Sequence, residues 1–234
     1  MEKLLDEIES YWSTRTEGYS EVNHKELAGT QKNAWLKVLT SQFPDKPKEE
    51  IRILDIGTGP GFFPVILAEA GYHVDAVDYT EGMLEKAKEN AGDLCRNIRF
   101  LRMDAQKLDF EDNTFDVVIS RNLTWNLEHP DVAYREWVRV LKVGGRLLNF
   151  DANWYGYLYD EEKRLSYEED RKSVESEHLD DHYLCTDIDR MEKIALQMPL
   201  SSINRPSWDR KFLKENGFES VAVDTRSEER RVGK

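Results

Sequence analysis

An aspartate followed by three glycines at alternate positions, Asp55-x-Gly57-x-Gly59-x-Gly61, is the stretch of this chain best suited to hold a ligand. Ile53 to Ile56 reads as a short buried strand, the glycines as a tight turn, and Pro64 to Ala70 as the following helix. Glycine has no Cβ, so the backbone can bend sharply and come close to a bound molecule. The free N–H groups of the next helix then favour polar or anionic atoms. The spacing is G-x-G-x-G rather than the G-x-G-x-x-G of a dinucleotide site, so no pyrophosphate need be held. Roughly 20 residues on, Asp78 closes a second alternating strand, where a nucleotide-binding α/β unit carries the carboxylate that accepts both ribose hydroxyls. Thr80 and Asp78 are also both able to cap the helix Glu81 to Asn90.

The elements that would position these groups repeat down the chain. Ile98 to Ala105 is a third strand ending in an acid, Asp104, and Phe115 to Ser120 is apolar enough to be a central strand buried on both faces. Ligands in open parallel sheets bind beyond the carboxyl ends of the strands, so the loop Arg121-Asn122-Leu123-Thr124-Trp125-Asn126-Leu127-Glu128-His129-Pro130 is expected to face the site. His129 is the candidate general base there, because an imidazole titrates near neutrality; an imidazole in this place is more often a helix-start or surface residue. Ala133 to Leu141 has helical spacing, with Val132, Trp137, Val140 and Leu141 on its apolar side and a glycine stop at Gly144-Gly145. Arg146 to Asp151 reads as a fifth strand and Glu219 to Thr225 as a sixth.

Taken together, Asp55-x-Gly57-x-Gly59-x-Gly61, Asp78, Asp104, the strand ending at Ser120 and the phrase Arg139-Val140-Leu141-Lys142-Val143-Gly144-Gly145-Arg146-Leu147 resemble the class I S-adenosylmethionine-dependent methyltransferases over roughly 51–150. The resemblance implies an α/β fold, a Rossmann-like doubly wound sheet, and S-adenosylmethionine as cofactor. It implies that Asp78 binds the ribose, that Tyr79 and Met83 flank the adenine, and that Asp104 and the Ala105 N–H meet the adenine edge. Asp55, Gly57, Gly59 and Gly61 would form the cofactor turn, with Arg121 and Asn122 beside the methionine part. Arg15 and Tyr19 are similar to lid residues that close over the cofactor; an ordinary connection packed on the core is the alternative. Many relatives carry His where Trp125 and Asn126 stand, so the identity of any base is not fixed by the resemblance.

Outside that block, Trp125, Asn126, Trp154, Tyr155 and Arg205 are the candidate acceptor-binding residues. Trp154 and Tyr155 follow the ligand-side end of a strand; Arg205 could hold an acceptor carboxylate or pair with Asp209. His178, His182 and Cys185 form a weak metal motif without a fourth ligand, and no metal is expected. The organisation expected is a helical lid segment over 1–50 and a methyltransferase domain over 51–225 with a helical insertion at about 152–200. The tail over 226–234 back-translates to a common sequencing-library adapter. An artefactual tail is therefore expected in place of a truncated C-terminus, with the family's final antiparallel strand missing.

Composition narrows the partners. With 33 Lys and Arg against 46 Asp and Glu, the net charge of −13 argues against nucleic acid or an anionic membrane surface and for a small-molecule acceptor. Two cysteines far apart, no signal-peptide pattern and no apolar run of membrane-spanning length lead us to expect a cytoplasmic protein. Two other readings remain open at this point: a non-catalytic module that keeps the fold as a binding surface, and a nicotinamide-dependent oxidoreductase.

Overall fold

The computed structural model describes residues 4–177 and 187–224. Five parallel strands carry the core: β1 (Arg52–Ile56), β2 (His73–Asp78), β3 (Ile98–Arg102), β4 (Phe115–Arg121) and β5 (Leu141–Phe150), in the order β3-β2-β1-β4-β5. β1 pairs with β2 on one side and β4 on the other, so the strand order reverses beside β1. That reversal opens a crevice at the carboxyl ends of the strands, the usual ligand position in such sheets.

Side chains of neighbouring strand residues leave the sheet on opposite faces, and both faces are covered. Leu54, Ile56, Val77 and Val118 pack with Ala133, Tyr134, Trp137 and Val140 of α5 (Pro130–Val140). Ile53, Val74, Val117 and Ile119 pack with Phe62, Phe63 and Ile66 of α3 (Phe62–Glu69) and with Trp35 and Leu39 of α2 (Gln31–Thr40). α4 (Glu81–Ala91) joins β2 to β3 and packs Met83, Leu84, Ala87 and Ala91 inward. The expectation that β4 is buried on both faces holds for Phe115 to Ser120.

Several boundaries differ from the sequence reading. The N-terminal segment is one helix, α1 (Leu4–Ala28), so Arg15 and Tyr19 project from a helix rather than from a connection. On α5, Val132 is exposed and Tyr134 takes the buried position instead, because the apolar face runs through 133, 134, 137 and 140. The glycine stop lies inside β5: Phe115 already pairs with Leu141, and the register then jumps to Val117 opposite Arg146. The residues between bulge outward, leaving Val143 almost fully exposed. The expected sixth strand is not formed by its described residues, 219–224. Val221 packs on the first core but lends no backbone bonds to the sheet.

After β5 come α6 (Glu161–Glu177), α7 (Ile188–Ala195) and α8 (Ser207–Glu215). Met191 and Ile194 of α7 join Ile8 and Tyr11 of α1 and Trp125 in a separate small core. His178, His182, Cys185 and the tail over 226–234 lie outside the described residues.

Gly61 has φ +91°, and a Cβ there would sit 3.0 Å from the Ala87 Cβ. Gly61→Ala is therefore expected to combine left-handed strain with a clash between α3 and α4, costing about 1–3 kcal/mol. Thermal unfolding should show a midpoint several degrees lower; an unchanged midpoint would mean that the two helices separate without cost.

Candidate functional site

The turn after β1 is fixed by the end of β2. Gly57 and Thr58 donate their N–H groups to the Val77 carbonyl at 2.9 and 3.0 Å. The Gly59 N–H donates to Asp78 Oδ2 at 2.8 Å, and the Thr80 N–H to Asp78 Oδ1 at 2.9 Å. One carboxylate thus ties the glycine turn to the start of α4. Two oxygens with two lone pairs each retain acceptor capacity toward the cleft. Burial pushes the Asp78 carboxyl up, against the opposing pull of the backbone N–H groups of Thr80, Gly59 and Tyr79.

Asp55 is 2% exposed, and burial raises its carboxyl from 3.8 to about 7; the Asp78 carboxylate adds to the rise, while Thr58 and Arg121 oppose it. Arg121 ends β4 and donates to both oxygens of Glu26 at 3.1 and 2.7 Å. Its guanidinium also lies 5.1 Å from the centre of the Trp35 ring and 5.2 Å from that of Phe62. Asn122 follows in the left-handed region at φ +56°, with its N–H on the Phe150 carbonyl and its own carbonyl accepting from Trp125 Nε1 at 2.9 Å.

Two cavities open at this edge of the sheet. The smaller, about 100 Å³, is bordered by Asp78, Tyr79, Thr80, Met83, Met103, Asp104, Ala105, Asn126 and Leu127, with Ile8 and Glu9 of α1 across it. The larger, about 500 Å³, is bordered by Asp55, Trp35, Trp125, Trp154, Tyr155 and Met191, with Tyr11, Arg15, Asn23 and Glu26 of α1. They share Trp12, Tyr19, Gly57, Gly59, Arg121 and Asn122. Ion pairs of Glu9 with Arg102, Glu17 with Lys86 and Glu26 with Arg121 hold α1 over both. Arg102 also lies over the Tyr79 ring at 5.2 Å and donates to the Tyr79 carbonyl, which anchors that side chain at the mouth of the smaller cavity.

Among the sequence candidates, Tyr19, Gly57, Gly59, Asp78, Tyr79, Met83, Asp104, Ala105, Arg121 and Asn122 therefore border the smaller cavity. Asp55, Arg15, Trp125, Trp154 and Tyr155 border the larger. Asn126 faces the smaller cavity instead of the larger one. Three candidates fall elsewhere. Gly61 is turned toward Ala87, where it permits α3 and α4 to touch. The His129 side chain is 62% exposed, 3.6 Å from Glu128, and the residue stands at the start of α5. Arg205 is buried between Asp151 and Asp209 and borders neither cavity. Sequence reasoning missed Trp12, Tyr11, Asn23, Glu26 and Met191. For the α1 residues the signal was present, since acids and aromatics recur along that helix, but taking part of it as a lid or connection hid their common face.

The cleft fits a ligand that donates hydrogen bonds. Asn126 Oδ1 on the smaller cavity and Asn23 Oδ1 on the larger are buried and lack a hydrogen-bond partner among the described residues. Buried acceptors of this kind are normally satisfied, and these two border the cleft.

A parallel sheet in this order, with a glycine turn after its first strand and acids at the ends of its second and third, is the Rossmann-like fold of class I methyltransferases. Residues 54–149 match the family model described as a methyltransferase domain. It is 41% identical over 98 residues to a demethylmenaquinone methyltransferase of Clavibacter sepedonicus, covering 42% of this chain and 39% of that protein. It is 31% identical over 170 residues to the ubiquinone/menaquinone biosynthesis C-methyltransferase UbiE of Xanthomonas oryzae pv. oryzae, covering 68% of this chain and 64% of that one. The chain thus spans less than two thirds of the length of these curated relatives. A candidate S-adenosyl-L-methionine-dependent methyltransferase from Methanococcus maripaludis shares the fold at a TM-score of 0.59 and 23% identity, over 89% of this chain and 85% of that one. Among the described residues no helix is long and apolar enough to cross a membrane.

The raised Asp55 carboxyl gives a signed expectation. Between 3.8 and about 7 the folded chain keeps a proton that the unfolded chain has released, so this group makes stability fall as pH rises through that window. Asp55→Asn, which cannot ionise, should gain in melting temperature relative to wild type from pH 5 to pH 8. A difference between the two that stays flat across that range would contradict the shift.

Proposed function

We propose that this chain transfers the methyl group of S-adenosylmethionine to a small planar acceptor, and that the acceptor is a hydroquinone-type ring. The observation that carries the reading is the junction of two unlike cavities at Gly57, Gly59, Arg121 and Asn122, one rimmed by acids and the other by indole and phenol rings. The cavity of about 500 Å³ is within the range that encloses small ligands, and its tryptophans and tyrosines offer flat faces for a ring to stack on. The names of the relatives, demethylmenaquinone and ubiquinone/menaquinone methyltransferases, support the quinone class.

In this reading Asp78 accepts hydrogen bonds from the ribose, Asp104 and the Ala105 N–H meet the adenine edge, and Tyr79 and Met83 hold the ring between them. Asp55 and the Asn23 amide oxygen on the larger cavity suit the cationic amino group of the methionine part. When bound, the cofactor supplies a methyl carbon made electrophilic by its sulfonium. The chain contributes alignment and exclusion of water, which together are worth roughly 7–11 kcal/mol in well-oriented reactions. Trp125, Trp154 and Tyr155 orient the acceptor, and Trp12 and Tyr19 of α1 close the junction from above.

Asp78→Asn is expected to weaken S-adenosylhomocysteine about 10- to 100-fold in calorimetry, because the charge-assisted bonds to the ribose are lost. Unchanged affinity would remove the ribose assignment. Transfer of labelled methyl from S-adenosylmethionine to a reduced demethylated naphthoquinone tests the acceptor class. A chain that binds the homocysteine product yet labels no quinol, while labelling another small molecule in a metabolite pool, would overturn it.

A further inference from the structure

The aromatic wall of the larger cavity is held from behind by a carboxylate that touches neither cavity. Asp151, just beyond β5, has a side chain only 2% exposed. Its Oδ2 accepts the Thr124 hydroxyl and, at 3.1 Å, the Trp125 N–H. Its Oδ1 accepts the indole N–H of Trp154 at 3.1 Å and the Ala152 N–H at 2.8 Å. A single carboxylate therefore fixes the backbone of one cavity tryptophan and the ring of another, from two separate loops.

Its counter-charge comes from the C-terminal part of the chain. Arg205 Nη1 lies 3.1 Å from Asp151 Oδ2, and the same guanidinium donates from Nε to Asp209 Oδ2 at 2.9 Å and from Nη2 to Asp209 Oδ1. The Arg205 side chain is 6% exposed. Tyr134 donates its hydroxyl to Asp209 and accepts from Asn149 Nδ2 at 2.9 Å, which closes the group onto α5 and β5. A buried carboxylate with its cation and hydrogen bonds complete is rigid, and with one of them removed it leaves an uncompensated charge.

We propose that Asp151, clamped by Arg205, is a positioning residue that sets the two acceptor-facing tryptophans, Trp125 and Trp154, and so controls acceptor affinity independently of cofactor affinity. The inference rests on the reading of the larger cavity as the acceptor site. It also gives Arg205 a role different from direct contact with an acceptor: the guanidinium neutralises the residue that holds the wall.

The test uses menadione as a naphthoquinone probe, followed by quenching of tryptophan fluorescence, beside calorimetry with S-adenosylhomocysteine on the same preparations. Near-ultraviolet circular dichroism of the indole band reports the wall without any ligand. Asp151→Asn is expected to weaken menadione about 10-fold or more, with loss of indole ellipticity and unchanged homocysteine-product affinity. Thr124→Val, which deletes one bond to the carboxylate from outside the cavity, should shift the same two readouts in the same direction. Thr124→Ser keeps the hydroxyl and should match wild type. If Asp151→Asn fails to fold, the two Thr124 variants decide the matter. Variants that weaken both ligands together, or neither, would overturn the positioning role. A wild-type chain that binds the homocysteine product but not menadione would instead remove the acceptor reading on which the proposal stands.

Discussion

The bond pair between the Asp78 carboxylate and the N–H groups of Gly59 and Thr80 is the constraint from which the rest of the site follows. A glycine turn is soft on its own, since each glycine can adopt many conformations. Here the turn is pinned to the end of the neighbouring strand by a residue that the parallel register already fixes, with Ile56 opposite Val77. Because the carboxylate is committed on one side to backbone donors, its remaining lone pairs have a fixed direction. Binding geometry thus comes from sheet geometry, with no separate ordering step when a ligand arrives.

That arrangement concentrates negative charge. Asp55 and Asp78 are buried close enough for one to raise the other, and Arg121, the cation beside them, is shared with Glu26 on α1. Two neighbouring buried acids of this kind favour a cationic group beside them. The same ion pair that helps to offset the two acids also docks the helix above them. Electrostatics at the base of the cleft and the seating of its cover are therefore one system.

The sequence was most legible where a backbone rule left little choice. Glycines at alternate positions, acids at strand ends and an apolar run such as Val117-Val118-Ile119 each admit few structures, and the sheet, the turn and the acidic rim of the smaller cavity were anticipated from them. It was least legible where a residue's role depends on partners far along the chain. Arg205 sits beside Asp209 in sequence, but its burial against Asp151 requires the C-terminal segment to fold back on β5. His129 is the counterpart: its ring type suggests acid–base work, yet as the residue opening α5 it points to solvent. Gly61 shows a third kind of limit, since a motif glycine can serve helix contact rather than a ligand and the pattern is identical in both cases.

The wall of the larger cavity has a different origin from that of the smaller one. Trp154, Tyr155 and Met191 lie beyond the matched block at 54–149, and Tyr11 and Trp12 lie before it. These segments meet in a small core of Ile8, Tyr11, Trp125, Met191, Ile194 and Met198, separate from the two that cover the sheet. Lifting α1 wholly off the body would expose that core, and each large apolar side chain costs about 1.5–3 kcal/mol on exposure. The ion pairs of Glu9, Glu17 and Glu26 would break with it. An opening that large is therefore rare, and traffic through the cleft is better served by small movements around Trp12 and Tyr19, whose side chains border both cavities. The N-terminal helix is consequently part of the wall of both cavities, so a change in its aromatic face alters their shape as directly as a change in the loops beyond the sheet.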